Sequence, residues 1–288
     1  MESKTLVRPA DAAPDWTIAQ EWENYSSAEH AMWDRLFTRQ AKMLPGRVAP
    51  EFLDGLDILR LSKAGIPNFE ELNERLMKAT GWQVVAVPGL VPDDVFFDHL
   101  ANRRFVSGNF IRKPEQLDYL QEPDIFHDVF GHVPLLANPT FADYMEAYGR
   151  GGQRSLTFGS LEKLARLYWY TVEFGLIRTP EGLRIFGAGI VSSYGESHFA
   201  LDDPSPNRIG FELERLMLTD YRIDDYQQTY FVIESFEQLL EQTLTTDFAP
   251  LYGALEGKAS HAPDSLLRED RVFTHGTQAY ARAHRDEA

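Results

Sequence analysis

Apolar and polar positions recur along this chain with a period that changes from segment to segment, and the changes mark out the elements. Over 17–44 the large side chains Trp22, Tyr25, Met32, Trp33, Leu36 and Phe37, with Ala41, return at helical spacing, and acidic or polar residues fill the other side. That period predicts one or two amphipathic helices. Helices are predicted again over 52–61 and 69–80, the second opened by Pro67-Asn68 and stopped by Gly81. Residues 82–87 switch to a β-rich run that Pro88-Gly89 turns, and 105–110 reads as a second short strand.

Further along, a helix with a Pro/Asp start is predicted over 119–133, another over 141–148 ended by Gly149, and a third over 161–173 with Ser160 as N-cap and Gly175 as stop. Ile185-Phe186 and Ile190-Val191 are short apolar patches among glycines. Residues 209–218 read as helix, 229–233 as strand and 236–246 as helix. Beyond 251 the composition turns polar without a heptad repeat, so no coiled-coil tail is expected. The fold class is therefore mostly α with a minor β part, a helical basket with a few short strands and no β-α-β alternation of a doubly wound sheet. Residues 1–14 are expected to form a loose arm, 15–251 one catalytic domain, and 252–288 a polar C-terminal extension.

Composition narrows the functional classes. The 288 residues are 43% apolar, enough for a sizeable core. Forty-four acidic against 28 basic residues give a net charge of -16, which opposes the phosphates of nucleic acid. With no cysteine, a transition-metal site must draw on His, Asp and Glu. The start Met1-Glu2-Ser3-Lys4-Thr5 lacks a signal-peptide pattern and no 18-residue apolar run occurs, so a soluble, cytoplasmic chain away from membranes is expected.

Candidate chemistry concentrates in 123–134, which carries His127 and His132. Residues five apart point about 140° away from each other on an undistorted α-helix. Their convergence on one ion requires a break or a helix end, and Gly131 is where a departure costs least. One core and one surface histidine is the other reading. Glu173 lies four residues after Trp169 and eight after Ala165, on a helix face otherwise aromatic or small. A carboxylate there is costly unless it is paired with a basic residue or binds a metal, and a helix C-terminal turn disfavours it further. Two imidazoles and one carboxylate make the facial triad that leaves positions open on Fe(II).

The segments Pro88-Gly89-Leu90, Phe110-Ile111-Arg112, Glu122-Pro123-Asp124 through His132-Val133-Pro134, Tyr168-Trp169, Thr171-Val172-Glu173-Phe174-Gly175, Gly187-Ala188-Gly189 and Ser192-Ser193 occur in that order. Over residues 17–250 the chain thereby resembles the tetrahydropterin-dependent aromatic amino acid hydroxylases, in particular the single-domain phenylalanine 4-hydroxylases of bacteria. The resemblance implies that His127, His132 and Glu173 hold Fe(2+). It implies a tetrahydropterin, tetrahydrobiopterin or a related natural pterin, bound against Leu90, Val91, Phe96, Asp128 and Ala165. Arg112, Trp169 and Ser192 are implied on the amino-acid side, with Ser193 and Tyr168 nearby. Leu120 and Val106 depart from residues common in mammalian members, and Asp128 is shorter than the glutamate many members carry.

The implied reaction is conversion of L-phenylalanine, tetrahydropterin and O2 to L-tyrosine and 4a-hydroxytetrahydropterin, in phenylalanine catabolism. A monomer without a separate amino-acid-sensing domain is expected, with small-molecule partners only. Tryptophan or tyrosine hydroxylation, and a catalytically silent metal- or ligand-binding protein, stay open as alternatives. Gly187-Ala188-Gly189 lacks the third glycine of a dinucleotide loop, and His198 is expected outside the metal set.

Overall fold

The computed structural model describes residues 6–118 and 122–284, so Leu120 and the predicted helix start at Tyr119 lie outside the described residues. Helix α1 runs Ser27–Met43 and begins later than the pattern over 17–44 suggests. Ser26 sets the boundary with a capping box: its side chain accepts from Glu29 N while the Glu29 carboxylate accepts from Ser26 N. Trp22 and Tyr25 precede the helix and reach across by their polar tips, Trp22 Nε1 to Ile66 O at 2.7 Å and Tyr25 Oη to Asn109 Oδ1 at 2.5 Å. Helices α2 (Pro50–Leu59) and α3 (Phe69–Thr80) follow prediction closely. In α3 the Asn68 side chain accepts from Glu70 N and Glu71 N, and Gly81 ends the helix in the left-handed region at φ 76°.

Strands β1 (Gln83–Val87) and β2 (Arg104–Gly108) pair in parallel, joined by helix α4 (Asp93–Ala101). Two short helices deep in the chain, Phe126–His132 and Trp169–Glu173, are π-helical. Between them lie α5 (Val133–Leu136), α6 (Pro139–Phe158) and α7 (Leu161–Tyr168). The predicted stop at Gly149 is wrong. Helix α6 continues to Gly159, whose φ of 63° ends it. Gly149 serves packing instead: a Cβ there would stand 2.4 Å from Ala101 N, and one at Gly152 would stand 1.9 Å from Phe97 Cδ1. Missing side chains on this face let α4 lie directly on α6.

The C-terminal half adds a five-stranded sheet in the order β4-β3-β6-β5-β7. Its strands are β3 (Leu176–Thr179), β4 (Gly182–Ile185), β5 (Asn207–Gly210), β6 (Thr229–Ile233) and β7 (Val272–Thr274). Helices α8 (Ala188–Val191), α9 (Tyr194–Asp202), α10 (Leu213–Met217), α11 (Phe236–Thr245), α12 (Phe248–Leu255) and α13 (Ala279–Ala283) complete this half of the chain. The helix predicted over 209–218 divides into β5 and α10. Ile209 pairs with Phe231 on one side and Val272 on the other, and Phe211 N donates to Val232 O, so the first apolar positions of that run belong to the sheet. Short apolar runs do not separate strand from helix.

Under the first π-helix the core is aromatic. Phe126 stacks on Phe130 at 4.7 Å, and Trp33, Phe37 and Phe52 meet these two rings edge-on. Such a wall fixes the inner face of the helix and sends its other face toward a cavity. Among the described residues no helix is long and apolar enough to cross a membrane.

Candidate metal centre and its two cavities

His127 and His132 both belong to the π-helix Phe126–His132. The i→i+5 repeat of a π-helix brings residues five apart toward one face. No break at Gly131 is needed, which corrects the sequence expectation. Gly131 has no positive φ; a Cβ there would lie 3.1 Å from Ala188 O, so the glycine admits α8 and, at that helix's C-cap, Ser192. The second π-helix acts similarly on Glu173, five residues after Tyr168. Tyr168 and Glu173 line one cavity, Glu173 and Trp169 share a second, and Ala165 lines neither. Of the face expected to join Ala165, Trp169 and Glu173, only the last two reach a common cavity and Ala165 is left out.

Donor atoms of His127, His132 and Glu173 lie within 4.8 Å of one another. His132 Nε2 is 3.2 Å from His127 Nε2 and 3.2 Å from Glu173 Oε1, and His127 Nε2 is 3.5 Å from Glu173 Oε2. Ligands about 2.1 Å from one ion at right angles stand about 3 Å apart, so these spacings suit one face of an octahedron. Hydrogen bonding fixes the tautomer of His127. Ser192 Oγ donates to Ala188 O at 2.7 Å and so accepts from His127 Nδ1 at 2.9 Å, leaving the Nε2 lone pair for a cation. Burial pushes the His127 imidazole down to about 4, which keeps it neutral near pH 7. Burial acts upward on Glu173, but its electrostatic coupling to the His132 and His127 imidazoles, with hydrogen bonds from His132 and the Gly189 backbone, outweighs it and holds the carboxyl below its ordinary value. Two imidazole nitrogens and one carboxylate oxygen form a donor set suited to a divalent ion.

Two cavities, about 250 and 480 Å³, meet at this centre and share Pro123, His127 and Glu173 as wall residues. The smaller is lined by Leu90, Val91, Phe96, Val106, Asp128 and Tyr168. Asp128 is 9% exposed, and its Oδ2 accepts from Gly108 N at 2.8 Å. Burial drives its carboxyl well above the usual range. The larger cavity is lined by Arg112, Trp169, Ser192 and Ser193. Trp169 is held by stacking on Tyr221 at 4.4 Å and by Nε1 donating to Gln227 Oε1 at 2.9 Å.

Arg112 is buried and its fork is already engaged. Nε and Nη2 donate to the two oxygens of Asp124, each at 2.9 Å, while Nη1 makes no hydrogen bond among the described residues. Asp124 also accepts from Arg112 N and from His127 N, at 2.9 and 3.0 Å. One fully buried carboxylate thus ties the arginine to the backbone of a candidate ligand. Sequence reasoning gave Asp124 no such role, although it stood inside a quoted motif.

Glu196 was missed as well. Ser193 with Glu196 three residues later reads as a capping box, which would leave the carboxylate in solvent. Only half of it forms. Ser193 Oγ accepts from Glu196 N at 3.2 Å, but the carboxylate turns inward to the larger cavity and accepts from Tyr230 Oη and from Gln227 N. At 5% exposure, burial pushes this carboxyl up to about 7. A raised acid contributes stability that is present below its unfolded pKa and lost as pH rises through the folded one. Glu196→Gln should therefore gain stability over the parent on going from pH 5 to pH 8, by about 2 kcal/mol. Urea melts at the two values would test this; an advantage that does not change with pH would refute it.

Comparison with known proteins gives the same picture from another direction. The profile described as "Biopterin-dependent aromatic amino acid hydroxylase" matches residues 11–249. A phenylalanine-4-hydroxylase of Caulobacter vibrioides is 64% identical over 275 residues, which cover 96% of this chain and 93% of that one. The crystal structure of Chromobacterium violaceum phenylalanine hydroxylase with bound oxidised Fe(III) superposes with a TM-score of 0.88 at 57% identity, covering 93% of this chain and 96% of that chain. The iron- and phenylalanine-bound structure of the same enzyme gives 0.87 at 55%, covering 91% and 95%. With the profile spanning most of the chain and this identity running nearly end to end, the chain belongs to the biopterin-dependent aromatic amino acid hydroxylases.

Proposed function

We infer that this chain is a phenylalanine 4-monooxygenase, which converts L-phenylalanine, tetrahydropterin and O2 to L-tyrosine and 4a-hydroxytetrahydropterin. The observation that carries this reading is a two-histidine, one-carboxylate centre set in the shared wall of two cavities. An enzyme that joins two organic molecules at one metal needs that layout. Bound there, Fe(2+) and the reduced pterin supply the activation of O2 that a ring carbon without an acidic proton requires.

The chain's own residues hold and aim the reactants. His127, His132 and Glu173 hold the ion from one side, and Ser192 keeps His127 in its ligating tautomer. Leu90, Val91 and Phe96 form the slot for the flat pterin, where ring stacking adds to area burial. Asp128, buried between that slot and the centre, offers a hydrogen-bonding carboxyl to the pterin side. Ala165, on α7, lines neither cavity and so forms no wall of the slot. Arg112 receives the amino acid's carboxylate with the donors that Asp124 leaves over, and Trp169 flanks the ring, so that C4 is presented to the metal. Residues 15–251 carry the metal centre and the pterin slot, and the chain acts as a cytoplasmic monomer on small molecules.

The test is to mix enzyme, Fe(II), tetrahydropterin and L-phenylalanine without oxygen, admit O2, and quantify tyrosine and pterin products together. Tyrosine should require every component and approach one hydroxylated pterin per tyrosine. Tyrosine formed equally without pterin would sink the mechanism. Conversion of tryptophan or tyrosine alone would keep the class and overturn the substrate.

A further inference from the structure

The family profile stops at residue 249, yet the chain returns to the larger cavity some thirty residues later. Strand β7 pairs with β5, and the segment after it is stitched to the loop ahead of β5 by a series of hydrogen bonds. Thr277 N donates to Pro204 O at 2.9 Å, Gln278 N to Ser205 O at 2.8 Å and Tyr280 N to Ser205 Oγ at 2.9 Å. Gly276 N donates to Asn207 Oδ1 at 2.9 Å, and a Cβ on Gly276 would stand 2.3 Å from Ser205 O. That close approach fixes where the following residues go. They bring Tyr280 over Tyr226 and Phe199, with ring centroids 5.3 and 5.1 Å away, and His284 stacks on its outer face at 4.1 Å. Tyr280 and Tyr226 then line the same cavity as Arg112, Trp169, His127 and Glu173. Room for Tyr226 comes from Gly195, where a Cβ would lie 2.1 Å from Tyr226 Oη.

We propose that the C-terminal segment 276–284 is part of the amino-acid site, and that Tyr280 is a positioning residue that closes its outer wall. This rests on the larger cavity being the phenylalanine side. The ring supplies apolar surface opposite the metal, holds Tyr226 in place, and keeps water out of the space between the amino acid and the centre. Excluding water matters in a reaction where an activated oxygen that fails to reach the ring is lost, with the pterin consumed and no tyrosine made.

The experiment compares the full-length iron-loaded protein with Tyr280→Ala and Tyr280→Phe. L-phenylalanine binding is followed without oxygen by intrinsic tryptophan fluorescence, and KM for each substrate and tyrosine formed per pterin consumed are measured with it. Loss of the ring pairs should raise the Kd and KM for phenylalanine about fivefold in Tyr280→Ala. The KM for pterin should stay put, and the yield of tyrosine per pterin should fall. Tyr280→Phe, which keeps the ring, should restore all three. Unchanged phenylalanine binding in Tyr280→Ala, or an equal rise in both KM values, would overturn the proposal. Failure of the wild-type protein to make tyrosine would instead strike the hydroxylase reading, while the binding comparison still decides the wall.

Discussion

Replacing His127, His132 or Glu173 by alanine, one at a time, is expected to leave protein that folds but retains little iron and forms almost no tyrosine. Each side chain supplies one corner of a face whose donor atoms are 3.2 to 3.5 Å apart. Two remaining donors cannot hold the ion in that geometry. A metal centre contributes several kcal/mol to its reaction, so the loss in turnover should be on the order of 10³-fold or more. Ser192→Ala should fall between, because it removes only the acceptor that orients His127; supporting residues of this kind are worth about 10–100-fold in metal affinity. Iron analysis with tyrosine formation on the same preparations would check the order. Full iron occupancy and near-native turnover in the His127→Ala and Glu173→Ala variants would remove the three residues from the centre.

Asp124→Ala should be the most destabilising substitution near the site. It leaves the Arg112 guanidinium buried without its partner, and breaking such a pair from one side costs about 3–5 kcal/mol. In a chain of this size that corresponds to a melting point lower by about 10 °C. Phenylalanine KM should rise too, since nothing then aims Arg112, whereas Arg112→Lys should raise that KM with a smaller loss of stability because a charge remains. Burial acts upward on the Asp124 carboxyl, but Arg112 and the backbone N–H groups of His127 and Arg112 outweigh it and hold it below its ordinary value. Its contribution is therefore present above pH 4 and lost as pH falls through the folded value. Calorimetry at pH 7 and pH 3 would show the wild-type advantage over Asp124→Ala shrinking toward acid; equal melting points at pH 7 would contradict the pair's role.

Much of the fold can be read where local chemistry decides. Asn68 and Gly81 bound α3 as predicted because a side-chain acceptor and a left-handed glycine each act on their own helix end. Gly149 misleads because its reason lies across the molecule, in the backbone of α4. The candidate ligands were identifiable from residue type and resemblance, but the way they converge was not: π-helical segments of seven and five residues carry too little periodicity to be seen in a hydrophobic pattern. Glu196 and Tyr280 escaped for a related reason. Each reaches the larger cavity through partners distant in sequence, Tyr230 in one case and Tyr226 in the other.

The two π-helical segments also make the centre depend on length rather than on identity. Between His127 and His132 stand Asp128, Val129, Phe130 and Gly131. Deleting any one of them would leave both imidazoles in the sequence and return the helix to the commoner i→i+4 repeat, on which they would again be neighbours. That spacing belongs to a different coordination pattern, and the aromatic wall below would be shifted out of register with it. A descendant of this chain could thus keep every residue a motif search counts and still have lost its chemistry, through an event that substitutes nothing.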